Sequence, residues 1–539
     1  MNTMSIAVVA LSLVAAMPAA AQHDHAGHAG EKLGTVDFRT SCNPSVRADF
    51  NRATALLHSF EFSSAIQAFS GVLEKEPTCG IAYWGIVLSN WGNPFGGIRQ
   101  PIVIERGQAA IAKARAATAA KFDARERAYF DAVLMLFDGA PERAQRERTL
   151  AYESAMAALV GANPDDMEAR VFYALAISQN ALATDKTYAN QIKAAGMLEP
   201  LYRDHPDHPG LAHYIIHAYD HPPLAPRAIE AARRYAQIAP SAPHALHMPS
   251  HTFTRVGYWQ DSITTNKASA ETATKLGSVG ETLHAMDYQE YAYLQLVQDA
   301  AARRLVDAVP DLRNRLDPNA IGGAASGPAG LYAIAAIPAR YALERGAWAE
   351  AASLEARSTD YPWTDGVTHF ARALGAARSG SPAAARPDID KLKALGEKLT
   401  AMKDAYWAGQ VDIQRQVAEA WVAFAEGQRD TAIQMLQGAA DAEDATDKAA
   451  VSPGPLAPAR ELLGEMMLEA GKPKEALAAF EATMKKEPNR FRAVAGAMRA
   501  AEAMGDRAAA STYARELLAV VKAPDSTRPD LERARKLAS

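Results

Sequence analysis

The chain has 539 residues, of which 49% are hydrophobic and 22% are charged, the balance of an ordinary folded protein. Its net charge is only −5, from 57 basic and 62 acidic residues. This charge predicts no surface for nucleic acid or for an anionic membrane. Alanine is abundant and runs of β-branched residues are scarce, which favours helices.

The first 21 residues are predicted to be a secretory signal peptide that is cleaved after Ala21. An apolar stretch from Ile6 to Ala16 precedes small residues, although no Lys or Arg stands before it. No later segment has eighteen uninterrupted apolar residues, so no transmembrane helix is expected. We therefore expect a periplasmic or secreted protein.

Residues 22–45 are polar at first and lack periodicity, which predicts a flexible N-terminal tail. The tail contains three closely spaced histidines that either bind copper, nickel or zinc weakly or belong to a simple spacer. These are His23, His25 and His28.

A repeated spacing of small, aromatic and proline residues begins after the tail. The segment "FEFSSAIQAFSGVLEKEPT" places Ala65, Phe69 and Pro77 four and eight residues apart. "LLGEMMLEAGKPKEALAAFEATMKKEPN" repeats these spacings near the C-terminus, and partial matches lie between the two. The pattern resembles the tetratricopeptide repeat, a 34-residue pair of antiparallel helices. The resemblance implies an all-α, superhelical solenoid of stacked hairpins.

Glycine and proline divide the predicted array. "LDPNAIGGAASGPAG", residues 316–330, contains four glycines and two prolines and is predicted to be a linker. It separates an N-terminal array, 46–315, from a C-terminal array, 331–539. A second loop, "ATDKAAVSPGPLAP", precedes the last clear repeats.

Two cysteines in an exported protein favour a disulfide. If the first repeat begins near Val46, Cys42 precedes its first helix and Cys79 follows its second. Antiparallel helices bring these two points together, so we predict a Cys42–Cys79 bond. Two unrelated thiols are the alternative.

Seven of the fourteen histidines lie between His208 and Gly257. In the repeat frame, one helix begins at Pro209 and an equivalent helix begins 34 residues later, at Pro243. Histidines three or four residues apart share one face of each helix, and the two rows have the same 34-residue offset. The rows contain His213 and His217, then His244, His247 and His251.

In tetratricopeptide proteins these helix positions line the concave groove where ligands bind. The resemblance therefore implies that Asp220, His221, Thr254 and Arg255 also face the groove. A third helix is predicted to begin near Leu283 and to add His284, Asp287 and Tyr291. A proline within each of two helices, at Pro249 and Pro338, predicts kinks.

The histidine rows support two interpretations. Neutral imidazoles at i, i+4 form a common chelating pair, so the rows and Asp287 can bind copper, zinc or iron. Alternatively each histidine makes ordinary hydrogen bonds in a polar groove. His58, His205 and His208 are predicted to be structural.

The whole chain resembles exported bacterial tetratricopeptide proteins that share segments like "HYIIHAYDHPPLAPR", a group with no chemistry to transfer. Three functions remain open. The first is a repeat protein that binds a transition metal and a peptide, protein or small ligand in its groove. The second is a metalloenzyme that activates water or oxygen. The third is a metal-free interaction scaffold.

Overall fold

The computed structural model describes residues 30–325 and 327–539. The predicted signal peptide and the three tail histidines lie outside these ranges. The described residues form 26 α-helices and two short 3-10 helices, and they contain no strand. The all-α prediction is therefore confirmed.

Helices α1–α8 form the first part of the array. Each packs on the next helix along the chain, except that α5 packs on α3 rather than on α4. Their bounds are α1 Arg47–His58, α2 Phe62–Lys75, α3 Ile81–Trp91, α4 Pro101–Ala116, α5 Ala124–Leu134, α6 Gln145–Ala162, α7 Met167–Gln179 and α8 Ala189–Asp204.

The next helices include the histidine-rich segment. Helices α9 and α11 begin at Pro209 and Pro243, as the repeat frame predicts. The bounds are α9 Pro209–Ala218, α10 Ile229–Ile238, α11 Pro243–His247, α12 Pro249–Arg255, α13 Trp259–Lys275, α14 Val279–Gln295 and α15 Asp299–Arg315.

The remaining helices continue the array and return toward its middle, where α24 packs on α14. Their bounds are α16 Gly327–Glu344, α17 Trp348–Ala352, α18 Pro362–Arg378, α19 Pro382–Ala401, α20 Ala405–Ala425, α21 Arg429–Asp444, α22 Ala459–Glu469, α23 Pro473–Lys486, α24 Phe491–Ala503, α25 Arg507–Val520 and α26 Pro529–Ala538. None of the described helices is both long and apolar enough to cross a membrane.

Glycine and phenylalanine fit together between helices, which explains the repeat spacing. A Cβ atom on Gly85 would lie 2.3 Å from the ring of Phe69, and one on Gly496 would lie 2.3 Å from the ring of Phe480. Both rings are fully buried. The small residue is therefore required because the aromatic ring occupies the space that its side chain would take.

Three boundaries differ from the sequence-based predictions. Residues 31–43 contain no helix and bury Phe38 completely against α1, α3 and α5, so only the part of the tail before Gly30 is left undescribed. The predicted linker ends where α16 begins at Gly327, and α14 packs directly on α16 across it. Helix α14 starts at Val279, four residues before the predicted Leu283.

The two helix-internal prolines behave differently. Pro249 separates α11 from α12, with Met248 between them, because proline lacks an N–H and its ring clashes with the preceding turn. Pro338 lies inside α16, which continues through it.

A loop at residues 445–458, which we call the crossing loop, joins distant parts of the array. Asp447 accepts a hydrogen bond from His221 at 2.8 Å and pairs with Lys186 at 2.7 Å. The Tyr288 hydroxyl donates to the backbone oxygen of Ala450 at 2.8 Å. The loop therefore connects the C-terminal helices to α14 and to the segments that precede α8 and follow α9.

Cys42 and Cys79 are joined by a disulfide that closes the first hairpin with its preceding segment. The bond spans 37 residues, so its reduction should destabilise this hairpin by about 2–4 kcal/mol through the entropy of the unfolded chain. Chemical unfolding of the oxidised protein and of the Cys42→Ala, Cys79→Ala double variant measures the difference. Equal unfolding midpoints would contradict this expectation.

Candidate metal centre

Six buried histidines from three consecutive parts of the array meet in the interior. Helix α9 supplies His213 and His217, and the α11–α12 pair supplies the middle three. Helix α14 supplies the sixth. The full set is His213, His217, His244, His247, His251 and His284.

The six side chains form two groups of three. One ring nitrogen from each of His213, His217 and His244 lies within 4.8 Å of the other two, and the same holds for His247, His251 and His284. We call these groups the first and second triads. The triads adjoin each other, because the ring centroids of His217 and His251 are 5.8 Å apart.

Hydrogen bonds at the outer ring nitrogens fix three of the imidazoles. His213 Nδ1 donates to the backbone oxygen of His58 at 2.6 Å. In the second triad, His247 Nδ1 lies 2.7 Å from Asn266 Oδ1 and His251 Nδ1 lies 2.8 Å from Asp220 Oδ2. Oxygens that can only accept require Nδ1–H on each ring, which leaves each Nε2 with a lone pair.

The orientation of Asn266 is fixed by its second contact. Its side-chain nitrogen donates to the backbone oxygen of Ser262 at 2.7 Å, so its oxygen faces His247. Asp220 is ionised, because Lys448 and Arg255 outweigh its burial and hold its pKa well below the usual range. Both acceptor assignments are therefore secure.

The second triad consequently holds two lone pairs face to face. His247 Nε2 and His251 Nε2 are 3.0 Å apart, and neither can donate a hydrogen while its Nδ1 is the donor. Two acceptors at this distance repel unless a proton or a cation lies between them. In the first triad His213 Nε2 and His244 Nε2 approach to 3.1 Å.

A proton is a poor bridge in this interior. Burial lowers the pKa of all six histidines, and that of His213 and His284 to about 3. The imidazoles are therefore neutral near pH 7, the form that binds metals. Three further ring nitrogens are buried without a hydrogen-bond partner: His217 Nε2, His244 Nδ1 and His284 Nδ1.

A third group, made of His58, Glu168 and His208, provides a contrast. Glu168 accepts a hydrogen bond from His58 Nε2 at 2.8 Å and from His208 Nε2 at 2.9 Å. The other nitrogens accept from the Tyr214 hydroxyl and the Leu211 backbone N–H. Every ring nitrogen is paired, so this group is complete as a hydrogen-bond network.

Two predicted ligand residues lie apart from the triads. Asp287 accepts from Arg340 Nε at 3.3 Å, and it is not grouped with any histidine. The Tyr291 hydroxyl accepts from Arg490 Nη1 at 3.0 Å and its ring packs against Trp259. Both residues belong to buried contacts between α14 and its neighbours.

The other predicted groove residues surround the centre without joining it. Asp220 is the partner of His251, and Arg255 Nε donates to Asp220 Oδ1 at 2.8 Å. His221 reaches Asp447 instead, while the Thr254 hydroxyl lies 3.4 Å from that of Ser262. Of these four residues, Asp220 alone hydrogen-bonds to a triad histidine.

Several contacts were missed by sequence reasoning. Lys448, in the crossing loop, donates to Asp220 Oδ2 at 3.1 Å. Glu281 Oε2 lies 3.9 Å from His244 Nδ1, and burial raises the pKa of this carboxyl. The ring of Tyr288 packs on His247, His251 and His284. Because Tyr288 follows His284 by one helical turn, its position is the one signal in the sequence that could have indicated this contact.

The equivalent helices α9 and α11–α12 begin 34 residues apart and pack as neighbouring hairpins. The chain has a tetratricopeptide-like fold. No protein-family model matches its sequence, and no curated protein is significantly similar to it.

Three solved structures align loosely with this tetratricopeptide-like chain. Yeast Tom70 is 10% identical, over 91% of this chain and 88% of that one, with a TM-score of 0.28. The tetratricopeptide domain of P58(IPK) is 11% identical, over 92% and 98%, with a TM-score of 0.21. The Naa15/Naa10 complex bound to HypK is 11% identical, over 88% and 75%, with a TM-score of 0.22. Likeness this loose indicates no function.

Proposed function

We propose that this chain is an exported helical-repeat protein that binds transition-metal ions in a paired six-histidine centre, one ion in each triad. The observation that carries this proposal is the 3.0 Å approach of His247 Nε2 and His251 Nε2 while both Nδ1 atoms are committed as donors. An ion between these nitrogens converts a repulsive contact into two coordinate bonds.

The distances support a metal of the zinc and copper class. Two nitrogens bound at about 2.0–2.1 Å to one tetrahedral ion lie about 3.3 Å apart. The closest pair of Nε2 atoms is 3.1 Å apart in the first triad and 3.0 Å apart in the second. Small side-chain shifts are therefore enough to bring each pair to the separation that one ion requires. Imidazole ligands suit copper, zinc and iron, and all three are candidates.

The surrounding contacts support the same conclusion. Metal-binding histidines ordinarily donate their second N–H to a carboxylate or carbonyl oxygen, which fixes the ring and increases its basicity. His251 has such a partner in Asp220, and His213 has one in the His58 carbonyl. The completed His58–Glu168–His208 network lacks open nitrogens and is assigned a structural role.

Export is supported by two features. The Cys42–Cys79 disulfide is typical of proteins that fold in an oxidising compartment. The apolar N-terminal segment has the pattern of a secretory signal.

A second candidate function is catalysis at the same centre. Three protein ligands leave the fourth position of a tetrahedral ion free for water or a substrate, the arrangement of catalytic zinc sites. Glu281, with one buried oxygen that lacks a partner, lies beside His244 of the first triad. If an open position exists, azide should change the electron paramagnetic resonance spectrum of the copper-loaded protein.

Elemental analysis of protein purified after export tests the binding proposal. We expect about two transition-metal ions per chain in the wild type, since each triad supplies three ligands. His217→Ala and His251→Ala should each remove the ion of one triad. His205→Ala is the matched control, because His205 is exposed and belongs to neither triad, and it should retain both ions.

Wild-type protein that carries no metal after growth with copper, zinc and iron would overturn the proposal. Full metal content in both triad variants would overturn the placement of the ions. Circular dichroism shows whether each variant remains folded and so separates loss of ligand from loss of structure.

A further inference from the structure

A cavity lies next to the charged residues that contact Asp220. Its walls come from α16, α18 and α20, from the crossing loop, and from the end of α23. Arg255 and Lys448 also line it, and both contact Asp220, which holds His251. The cavity is therefore separated from the histidines by a single layer of charged side chains.

Aromatic rings form one wall of the cavity. Tyr332, Phe370, Tyr406 and Trp407 all line it. Trp407 is held in place from behind by Trp363, with ring centroids 4.5 Å apart and planes only 18° from parallel. Such a wall offers ring faces to an apolar body or to a cation.

The buried side-chain atoms of the lining that lack a hydrogen-bond partner are all acceptors. Both carboxylate oxygens of Glu487 are buried without a hydrogen-bond partner, and this residue is only 2% exposed. The side-chain oxygen of Gln414 is buried and unpartnered as well. A buried carboxylate without a donor is costly, so the site is incomplete without a ligand that supplies hydrogens.

The cationic residues of the lining are already paired. Arg255 and Lys448 both bind Asp220, while Lys486 Nζ contacts the Glu443 backbone oxygen at 3.3 Å and Asp444 Oδ1 at 3.4 Å. None of these groups hydrogen-bonds to Glu487, although Arg255 and Lys448 lie close enough to attract its charge. The cations that line the cavity thus bind acceptors of the protein, while Glu487 accepts no hydrogen bond.

An inorganic ion does not fit the same atoms. Of the groups of three ligands that lie close enough to hold a metal in the described chain, none contains Glu487 or Glu443. The aromatic wall also contributes nothing to a hard cation that needs several oxygens. An organic cation uses both the acceptors and the rings.

We propose that this cavity binds an organic cation, an ammonium or guanidinium group on an apolar body, with Glu487 as counter-ion and the Tyr406–Trp407 wall against its stem. The inference is independent of the metal, since the cavity shares no triad residue.

Binding of four probes with short alkyl chains and different head groups tests the charge preference. n-Butylammonium, n-butylguanidinium, butyramide and butyrate are titrated calorimetrically into the full chain, before and after removal of metal by a chelator. We expect one or both cations to bind and the neutral and anionic probes to give no heat. Removal of metal should leave cation binding unchanged, which separates this inference from the metal proposal.

Glu487→Gln should weaken binding of the cation by about 30-fold or more, since it removes one partner of a buried charge pair. Glu475→Gln, at an exposed position of α23, which ends just before Glu487, is the matched control and should bind as the wild type does. Equal affinity for cationic and neutral probes, or full affinity in folded Glu487→Gln, would overturn the proposal. If that variant does not fold, the four probes titrated into the wild type still show whether the cavity prefers a cation.

Discussion

Replacing Asp220 with asparagine is expected to lower the metal affinity of the second triad by about 10–100-fold, the usual effect of losing a charged partner behind a ligating histidine. Asp220 is buried and accepts from His251, Arg255 and Lys448 at once. Its charge also balances two buried cations, so the free energy of unfolding should fall by about 3–5 kcal/mol. Competition with a chromogenic chelator measures the first effect, and urea unfolding of metal-free protein measures the second.

Asp388 provides a matched control for this experiment. It is also buried and accepts from a histidine and an arginine, His369 Nδ1 at 2.6 Å and Arg372 Nε at 3.0 Å, but it has no place in the triads. Asp388→Asn should reduce stability and leave metal affinity unchanged. If both variants bind metal as the wild type does, Asp220 does not support an ion.

Replacing Glu168 with alanine is expected to cause a large loss of stability with no loss of metal. The change leaves the Nε2–H groups of His58 and His208 without acceptors in a dry interior and creates a cavity between them. Together these effects should lower the free energy of unfolding by about 3–5 kcal/mol. Urea unfolding followed by circular dichroism measures this loss, and elemental analysis measures the metal content.

The two outcomes for Glu168→Ala distinguish a structural network from a third metal site. Retention of two ions per chain, at reduced stability, agrees with the structural role of His58 and His208. A selective loss of one ion in a variant of normal stability would instead assign that ion to this group. His205→Ala again serves as the exposed-histidine control.

The helical fold was predictable because its spacing rules are local. The frame that starts helices at Pro209 and Pro243 is set by residues a few positions apart, so the sequence alone placed them correctly. The same frame brought His213, His217 and His244 to one region, as well as His247 and His251. The division of these histidines into two triads depends on the rotation of each ring and on the break between α11 and α12 at Met248. Helical periodicity predicts neither of these features.

The remainder of the site depends on contacts between residues that are distant in sequence. Asn266 faces His247 from the second helix of a hairpin, and Lys448 reaches Asp220 from 228 positions away. Asp287 lies on the same helix face as His284, but it pairs with the buried Arg340 instead of joining the histidines. Helical periodicity gives the direction of a side chain, while the charged partner that it meets is set by tertiary packing.

The crossing loop has a consequence for the order in which the protein assembles. In a simple repeat array each hairpin is complete once its neighbour has formed, so folding can follow synthesis from one end. Here Lys448 and Asp447 must reach Asp220 and His221, more than 200 residues earlier in the chain. The wall around the second triad is therefore finished only after most of the polypeptide has emerged. If the chain is exported and binds metal as we propose, this timing places closure of the histidine centre, and the capture of its ions, after translocation.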